Sequence, residues 1–412
     1  MMHAMRKSEG VDITSAAFKA DPFPFYAKLR EEAPVCPVRL KVRRGQRAWL
    51  VTRYDDVVAV LKDPATFVKD RTAAMSREQL ARAPGIPRVF AALERNLLGL
   101  DGGDHGRLRA LVHRAFTAST VEGMRGTAEE VTARALDRVE ALGDFDLVAD
   151  FGVAVPLTII GRILGVPDAD HARFGRWWRA FVDVGAGVNP LFLLPSMLRL
   201  VWYLRRLIAS RRRRPADDLV SSLARAQEGD DRLTDDEILA MTLLLLSAGH
   251  ETTVNLVGSG MLALLEHPDE LARLGREPSL IGTAVEELLR FAGPAETATE
   301  RYAMRDVEIA GTIIPKGELV LAVLASANRD AARFESPDAL DIARSSNRHL
   351  SFGLGLHHCL GAPLARMEGV VAIGALVARA PRLRLRVEAS ELRWRPGFVL
   401  RGLEALPVSF RG

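Results

Sequence analysis

A chain of 412 residues, 48% hydrophobic and 26% charged, has the apolar material for a large core, which excludes a disordered chain. Its net charge of +4 is spread over acids and bases that alternate along the sequence, and no basic stretch is interleaved with aromatics, so nucleic acid is a poor fit as a partner. The two cysteines, Cys36 and Cys359, stand in unrelated contexts, which argues against a disulfide framework and for a reducing compartment.

The N-terminal MMHAMRKSEGVD is too polar for the apolar region of a signal peptide, so the reading is cytoplasmic, and residues 1 to about 15 are expected to be disordered. No Ser/Gly tract, long charge block or internal repeat divides the chain, which predicts one domain over residues 1–412. A short strand is expected at residues 48–52. In DHGRLR, His105 and Arg109 stand one helical turn apart, a spacing that also fits an ordinary surface pair. Apolar periodicity predicts a helix over 128–142. LFLLPSMLRLVWYL, residues 191–204, is too short to span a membrane and is interrupted by Pro195 and Arg199. Burial as a helix pair bent at Pro195 is the expectation, ahead of a lid over a cavity. Arg211 to Arg214, followed by Asp217 and Asp218, read as a solvated helix end or loop.

The most informative helix begins after Thr234. Thr234 and Glu237 form a T-x-x-E capping box, Asp235 and Asp236 sit in the first turn, and the pattern runs to about His267 before Pro268. At 1.5 Å per residue this is about 50 Å of helix, apolar nearly all round on both flanks and therefore buried. SAGHETT, residues 247–253, interrupts it. Glycine inside a helix costs about 1 kcal/mol against alanine, and a buried carboxylate costs more unless paired. Either the helix surfaces there, or Ala248 and Gly249 admit a flat or bulky group while Thr252 and Glu251 form a proton relay beside it.

Further along, 281–291 reads as a helix carrying Glu287 and Arg290 at i, i+3, a weak signal because Glu122 and Arg125 share the spacing. Strands are expected at 307–309, at 319–324 and near the C-terminus. Strands this few predict a mainly α fold with small β-sheets, neither a doubly wound sheet nor a barrel. In SFGLGLHHCLG, residues 351–361, adjacent His357, His358 and Cys359 cannot converge on one small ion, and no CxxC or HxxxH pair completes a zinc site. Gly353, Gly355 and Gly361 mark a sharply turning backbone, and a helix follows over 363–379. A thiolate presented by a glycine loop at a helix N-terminus suits one axial bond to a metal in a flat macrocycle.

SFGLGLHHCLG resembles the haem-binding loop of the cytochrome P-450 superfamily, F-x-x-G-x-x-x-C-x-G, with Phe352, Gly355, Cys359 and Gly361 in register. AGHETT resembles the oxygen-activating centre of that family's distal helix, Glu287-x-x-Arg290 its E-x-x-R pair, and ANRD at 327–330 a segment of bacterial members. The similarity runs from DPFPFYAKLREEAPV, starting at Asp21, to RPGFVLRGLEALPVSF, ending at Phe410. It implies the P-450 fold, with a long central distal helix and a haem-binding loop before a proximal helix. It implies haem b (iron protoporphyrin IX) with Cys359 as axial ligand and His105, Arg109, Arg301 and His357 on the propionates. Phe352, Gly353 and Gly361 would shape the loop, Ala248 and Gly249 would lie against the macrocycle, and Glu287 and Arg290 would brace the core beside it. Four cationic or donor groups facing two carboxylates obey the rule that buried charge is paired.

The implied function is a haem-thiolate monooxygenase that activates O2 to hydroxylate or epoxidise a hydrophobic small molecule, with Thr252 bonding the bound oxygen and Glu251 and ordered water delivering protons. No segment resembles a flavin or nicotinamide domain, so electrons are expected from NAD(P)H through a separate ferredoxin and ferredoxin reductase. Arg107, Arg114 and Arg366 are candidates to attract an acidic ferredoxin. The chain is expected to be a monomer. By resemblance the pocket is walled by the 71–98 loop, the 174–204 region, Leu244, Ala248, Thr297, Ala298, Phe398 and Val399. GPAETATERYA at 293–303 resembles the matching segment of polyketide and macrolide tailoring enzymes, which puts a natural product first and a fatty acid, terpenoid or xenobiotic second. Two rivals are a peroxide-driven enzyme, against which the Glu251–Thr252 relay argues, and a non-catalytic docking module, which has no need of Cys359.

Overall fold

The structure, a computed structural model, describes residues 10–43, 45–82, 96–113, 118–171, 173–178, 190–225, 227–228 and 231–410. Residues 1–9 of the expected disordered terminus lie outside it. Ile13 is buried, and Ser15 caps helix α1 (Ala16–Ala20) by accepting from the Phe18 amide.

One part of the fold is a five-stranded sheet. After α2 (Phe23–Glu32), strands β1 (Val35–Leu40) and β2 (Gln46–Val51) form an antiparallel hairpin, followed by α3 (Tyr54–Lys62) and the edge strand β3 (Phe67–Val68). β5 (Arg301–Ala303) and β8 (Leu319–Ala322) complete the order β1-β2-β8-β5-β3, with β8 parallel to β2. The sheet is covered on both faces, and its residues sort by the two-residue strand period. Ala48, Leu50, Leu319 and Leu321 join Tyr26 and Ile13 on one side; Trp49, Val51, Val320 and Ala322 join Val57 and Leu61 on the other. Cys36 lies fully buried on β1 as a small core residue.

The larger part is helical. It contains α4 (Gly102–His113), α5 (Arg125–Leu142), the short strand β4 (Asp144–Asp146), α6 (Ala154–Ile163), α7 (Pro190–Arg213), α8 (Leu219–Arg225) and the central α9 (Asp235–Glu266). Then come α10 (Pro268–Arg276) and α11 (Ile281–Ala292), and beyond the sheet α12 (Leu324–Ala327) and α13 (Ala362–Arg379). β6 (Val307–Ile309) and β7 (Thr312–Ile314) form a separate hairpin, and β9 (Arg384–Leu385) and β10 (Pro407–Ser409) pair with β4. The chain is thus mainly α with small sheets.

α9 has the expected capping box, with Thr234 and Glu237 each accepting the other's backbone N–H. Its 32 residues span about 48 Å. α7 differs from expectation: it is one continuous helix through Pro195, and it is not wholly buried, since Leu194, Leu198 and Trp202 are 36%, 52% and 58% exposed. Proline removes one amide from the ladder and crowds the carbonyl four residues back, yet the helix runs on through Pro195. The arginines of its last turn are ion-paired as well as solvated, Arg211 to Asp218 and Arg212 to Asp235. No described helix is long and apolar enough to cross a membrane.

Buried charge pins the elements together. Glu287 and Arg290, on α11, have no exposed side-chain surface and meet in two bonds of 2.8 Å. Glu287 also accepts from Arg344 Nε, Asn347 Nδ2 and the Asp341 amide, while Arg290 donates to the carbonyls of Asn328, Pro337 and Ala339. Glu122 and Arg125 do pair, at 2.6 Å, but in solvent. Replacing Glu287 with Leu leaves Arg290 buried without its acid and is expected to cost about 3–5 kcal/mol, read as a fall in the urea midpoint. Glu122→Leu, at the exposed pair of the same spacing, is expected to leave the midpoint essentially unchanged.

Candidate active site

The Cys359 loop is built by left-handed glycines and packed backbone. Gly353 and Gly355 have φ of 65° and 72°, and a Cβ on Gly355 would stand 2.5 Å from the Leu61 carbonyl at the end of α3. No other residue fits that position. The Cys359 amide donates to the Phe352 carbonyl at 2.9 Å, closing the loop, and α13 starts three residues later. Burial pushes the thiol up from its ordinary value, while the amides of Gly361 and Ala362 and the charges of Arg109 and Arg366 pull the other way. A bound metal cation adds the charge that settles that contest for the thiolate.

The loop is seated on the Glu287 network. Asn328, from the ANRD segment, accepts from the Leu350 amide at 2.7 Å and donates to Ser351 Oγ at 2.8 Å, and Ser351 Oγ donates to the Leu289 carbonyl at 2.6 Å. Arg290 holds the Asn328 carbonyl, so the E-x-x-R pair, the ANRD segment and the thiol loop form one chain of hydrogen bonds. Phe352 carries the Arg366 guanidinium over its ring at 4.5 Å, and Glu286 ties Arg366 at 2.7 Å.

Beside the loop lies a buried cluster that is short of acid. His105 and Arg109 come from α4, His357 from the loop and Arg301 from β5. The two histidine rings meet edge-on at 4.4 Å, and none of their nitrogens has a hydrogen-bond partner among the described residues. Arg301 is 4% exposed, donates to the Thr299 carbonyl and has no carboxylate within 4 Å among the described residues. Arg109 donates to the His358 carbonyl at 2.9 Å. Burial, then the charges of His357 and Arg109, drive His105 down to about 4, and burial pulls Arg301 down to about 10. Asp101 is the one acid here, 3.8 Å from His357 Nε2. Buried donors left this short of acceptors fit a group bearing carboxylates, as haem does.

The middle of α9 supplies the facing notch. Ser247 and Ala248 are exposed and Gly249 half-buried, although Leu246 and His250 on either side are buried. Thr252 Oγ1 donates to the Ala248 carbonyl at 2.5 Å. Glu251 points into a cavity of about 380 Å³ that Asn255, Arg395, Phe398 and Val399 also line. Burial raises its carboxyl, and Arg395, 4.0 Å away, partly offsets the shift. Leu244, Ala248, Thr297 and Ala298 are not among the residues lining this cavity; Thr297 is buried and donates to the Phe398 carbonyl at 2.9 Å. Of the 71–98 loop and the 174–204 region, residues 83–95 and 179–189 lie outside the described residues, as does Arg114. Arg107 is paired with Glu237 and Arg366 with Glu286, so neither is a free charge for a partner.

Sequence reasoning missed Asp101, Arg395 and Glu368. Glu368 is the one acid in the apolar run after Cys359, and that was the available signal. It is 3% exposed, and Thr253 Oγ1 donates to its Oε2 at 2.9 Å, tying α9 one residue past Thr252 to α13 nine residues past Cys359.

The family model of cytochrome P450 matches residues 196–380. The chain is 43% identical over 395 residues to cytochrome P450 107B1 of Saccharopolyspora erythraea, covering 95% of this chain and 96% of that one. It is 42% identical over 385 residues to mycinamicin IV hydroxylase/epoxidase of Micromonospora griseorubida, covering 93% and 94%. The solved structure of the bacillaene polyketide synthase cytochrome P450 PksS of Bacillus subtilis superposes with a TM-score of 0.89 at 39% identity, covering 98% of this chain and all of that one.

Burial raises Glu368 to about 8, whereas an unfolded glutamate ionises near 4.5. Between those values the unfolded chain has lost a proton that the folded chain keeps, so stability falls as pH rises, at about 1.4 kcal/mol per pH unit, and levels off above 8. Glu368→Gln is expected to abolish that slope in urea titrations at pH 5, 6.5 and 8.

Proposed function

This chain belongs to the cytochrome P450 family and is a haem monooxygenase that works with redox partners, O2 and an organic substrate; from that premise we propose that it hydroxylates or epoxidises a hydrophobic natural product of the polyketide or macrolide class. The observation that carries the site assignment is the Cys359 loop set beside a buried cluster of donors short of acid. Cys359 would ligate the haem iron, and His105, Arg109, Arg301 and His357 would hold its carboxylates. Phe352, Gly353 and Gly361 shape the loop, with Ala248 and Gly249 against the macrocycle. When bound, the haem supplies reductive activation of dioxygen and delivery of one oxygen atom to carbon, chemistry that side chains alone do not offer.

The residues do the rest. The Gly361 and Ala362 amides favour the thiolate against the burial that pushes the thiol up. Glu251, raised by burial and open to the cavity, picks up protons from solvent at its carboxylate and passes them through water toward Thr252 Oγ1. Arg395 keeps the Glu251 charge from being prohibitive at 4.0 Å. Phe398 and Val399 give the substrate cavity its apolar wall, and Thr297 donates to the Phe398 carbonyl. The substrate class is supported by the segment at 293–303 and by relatives that act on mycinamicin or belong to polyketide synthesis. Electrons come from NAD(P)H through a separate ferredoxin reductase and ferredoxin, and the protein acts as a cytoplasmic monomer in which Cys36 and Cys359 form no disulfide.

Purified holoprotein reduced under carbon monoxide is expected to give the strongly red-shifted Soret band of thiolate ligation, lost in Cys359→Ser; a band indifferent to Cys359 would falsify the ligand assignment. A panel of macrolides, fatty acids and terpenoids, scored by spectral shift on binding, tests the substrate class: tightest response to fatty acids would reverse the order. Glu251→Gln is expected to slow turnover about 100-fold with substrate affinity unchanged, since a lost proton donor of this kind costs about that much.

A further inference from the structure

The acid-poor cluster contains a cation that the four assigned groups leave out. Val68 pairs with Tyr302 in the antiparallel β3–β5 ladder, so the next position sets Lys69 opposite Arg301. Directly opposed residues of an antiparallel pair share a face, and like charges there repel. Both side chains are buried, Lys69 at 8% exposure and Arg301 at 4%, and neither has a carboxylate within 4 Å among the described residues.

Two of the three Lys69 ammonium protons have acceptors, Thr299 Oγ1 and the Glu300 carbonyl, both neutral. Asp101 takes only the Lys69 backbone amide, at 2.6 Å. Burial and the charge of Arg301 push the Lys69 amine well below its ordinary value, and its own charge acts on both His105 and His357. Two buried cations set face to face, with the Glu300 and Asp101 carboxylates acting on Lys69 only from beyond ion-pair distance, are best stabilised by an anion that comes between them.

We propose that Lys69 is a further cofactor-binding residue, contacting a haem carboxylate from the strand opposite Arg301. The inference rests on the haem reading above, which the carbon monoxide spectrum of the wild type tests separately. The competing role is structural: Lys69 would only brace the turn at Thr299 and Glu300.

The test is a chemical cycle on holoprotein. Wild type, Lys69→Met and Lys69→Gln are each loaded with haem and with haem dimethyl ester, whose carboxylates are blocked, and cofactor transfer to excess apomyoglobin is followed by absorbance. Gln keeps donors for Thr299 and Glu300 while removing the charge, so it stands in if the Met variant does not fold. With haem, loss of Lys69 is expected to speed transfer about tenfold or more, the scale of one charge-assisted hydrogen bond. With the ester, wild type and variants are expected to agree within about twofold, because the partner is already gone. Equal acceleration with both cofactors, or no acceleration with haem, overturns the proposal.

Discussion

Glu287 bears its charge with no side-chain surface exposed to water, and the loop that presents Cys359 hangs from the way that charge is satisfied. Desolvating a carboxylate costs several kcal/mol, so Glu287 must collect donors from every side, and Arg290, Arg344, Asn347 and the Asp341 amide supply them. Arg290 in turn spends its remaining protons on carbonyls, among them that of Asn328, and Asn328 sets Leu350 and Ser351 at the mouth of the loop. A buried network of this kind tolerates no partial satisfaction, which makes the loop's starting point rigid.

The cluster of Lys69, His105, Arg109, Arg301 and His357 follows the opposite rule. Around Glu287 acid and donor balance within the protein; here cationic or donor groups outnumber the acids, and Asp101 spends Oδ2 on the Lys69 and Asp70 amides while its Oδ1 stands 3.8 Å from His357 Nε2. The fold tolerates that imbalance because these groups sit on four separate elements, each held by its own packing: α4, the end of β3, the start of β5 and the Cys359 loop. A satisfied network seats the thiol loop, and an unsatisfied one lies next to it.

α9 is buried along most of its length and, between its exposed ends, opens at Ser247 and Ala248. Its position is set by Thr253 and Glu368, a neutral hydrogen bond to a carboxyl that burial keeps protonated over most of the physiological range. The cavity at Glu251 is bounded on its far side by the 395–402 segment, which a second buried ion pair holds from the N-terminus. Lys19 and Glu296 meet at 2.8 Å, and Arg401 donates to the Lys19 carbonyl, also at 2.8 Å. The first turns of the chain thus hold the wall that the substrate is proposed to touch.

Local order was legible in the residues themselves. The capping box at Thr234, the apolar flanks of α9, the glycines around Cys359 and the helix after it are short-range features, and each appears where the spacing put it. The family motifs likewise carried membership, because F-x-x-G-x-x-x-C-x-G is a contiguous string. What lay beyond the sequence was whatever depended on partners far away in the chain. Glu287-x-x-Arg290 and Glu122-x-x-Arg125 read alike, and only tertiary contacts from residues 328–347 make the first a buried hub and leave the second in solvent. Lys69 meets Arg301 only through a two-residue strand pairing, and Thr297 meets the Phe398 carbonyl only because distant segments pack together. Sequence determines which backbone a segment prefers; which charges are left without a counterpart is decided only when distant segments pack, because desolvation and pairing are set by the whole surrounding of a group.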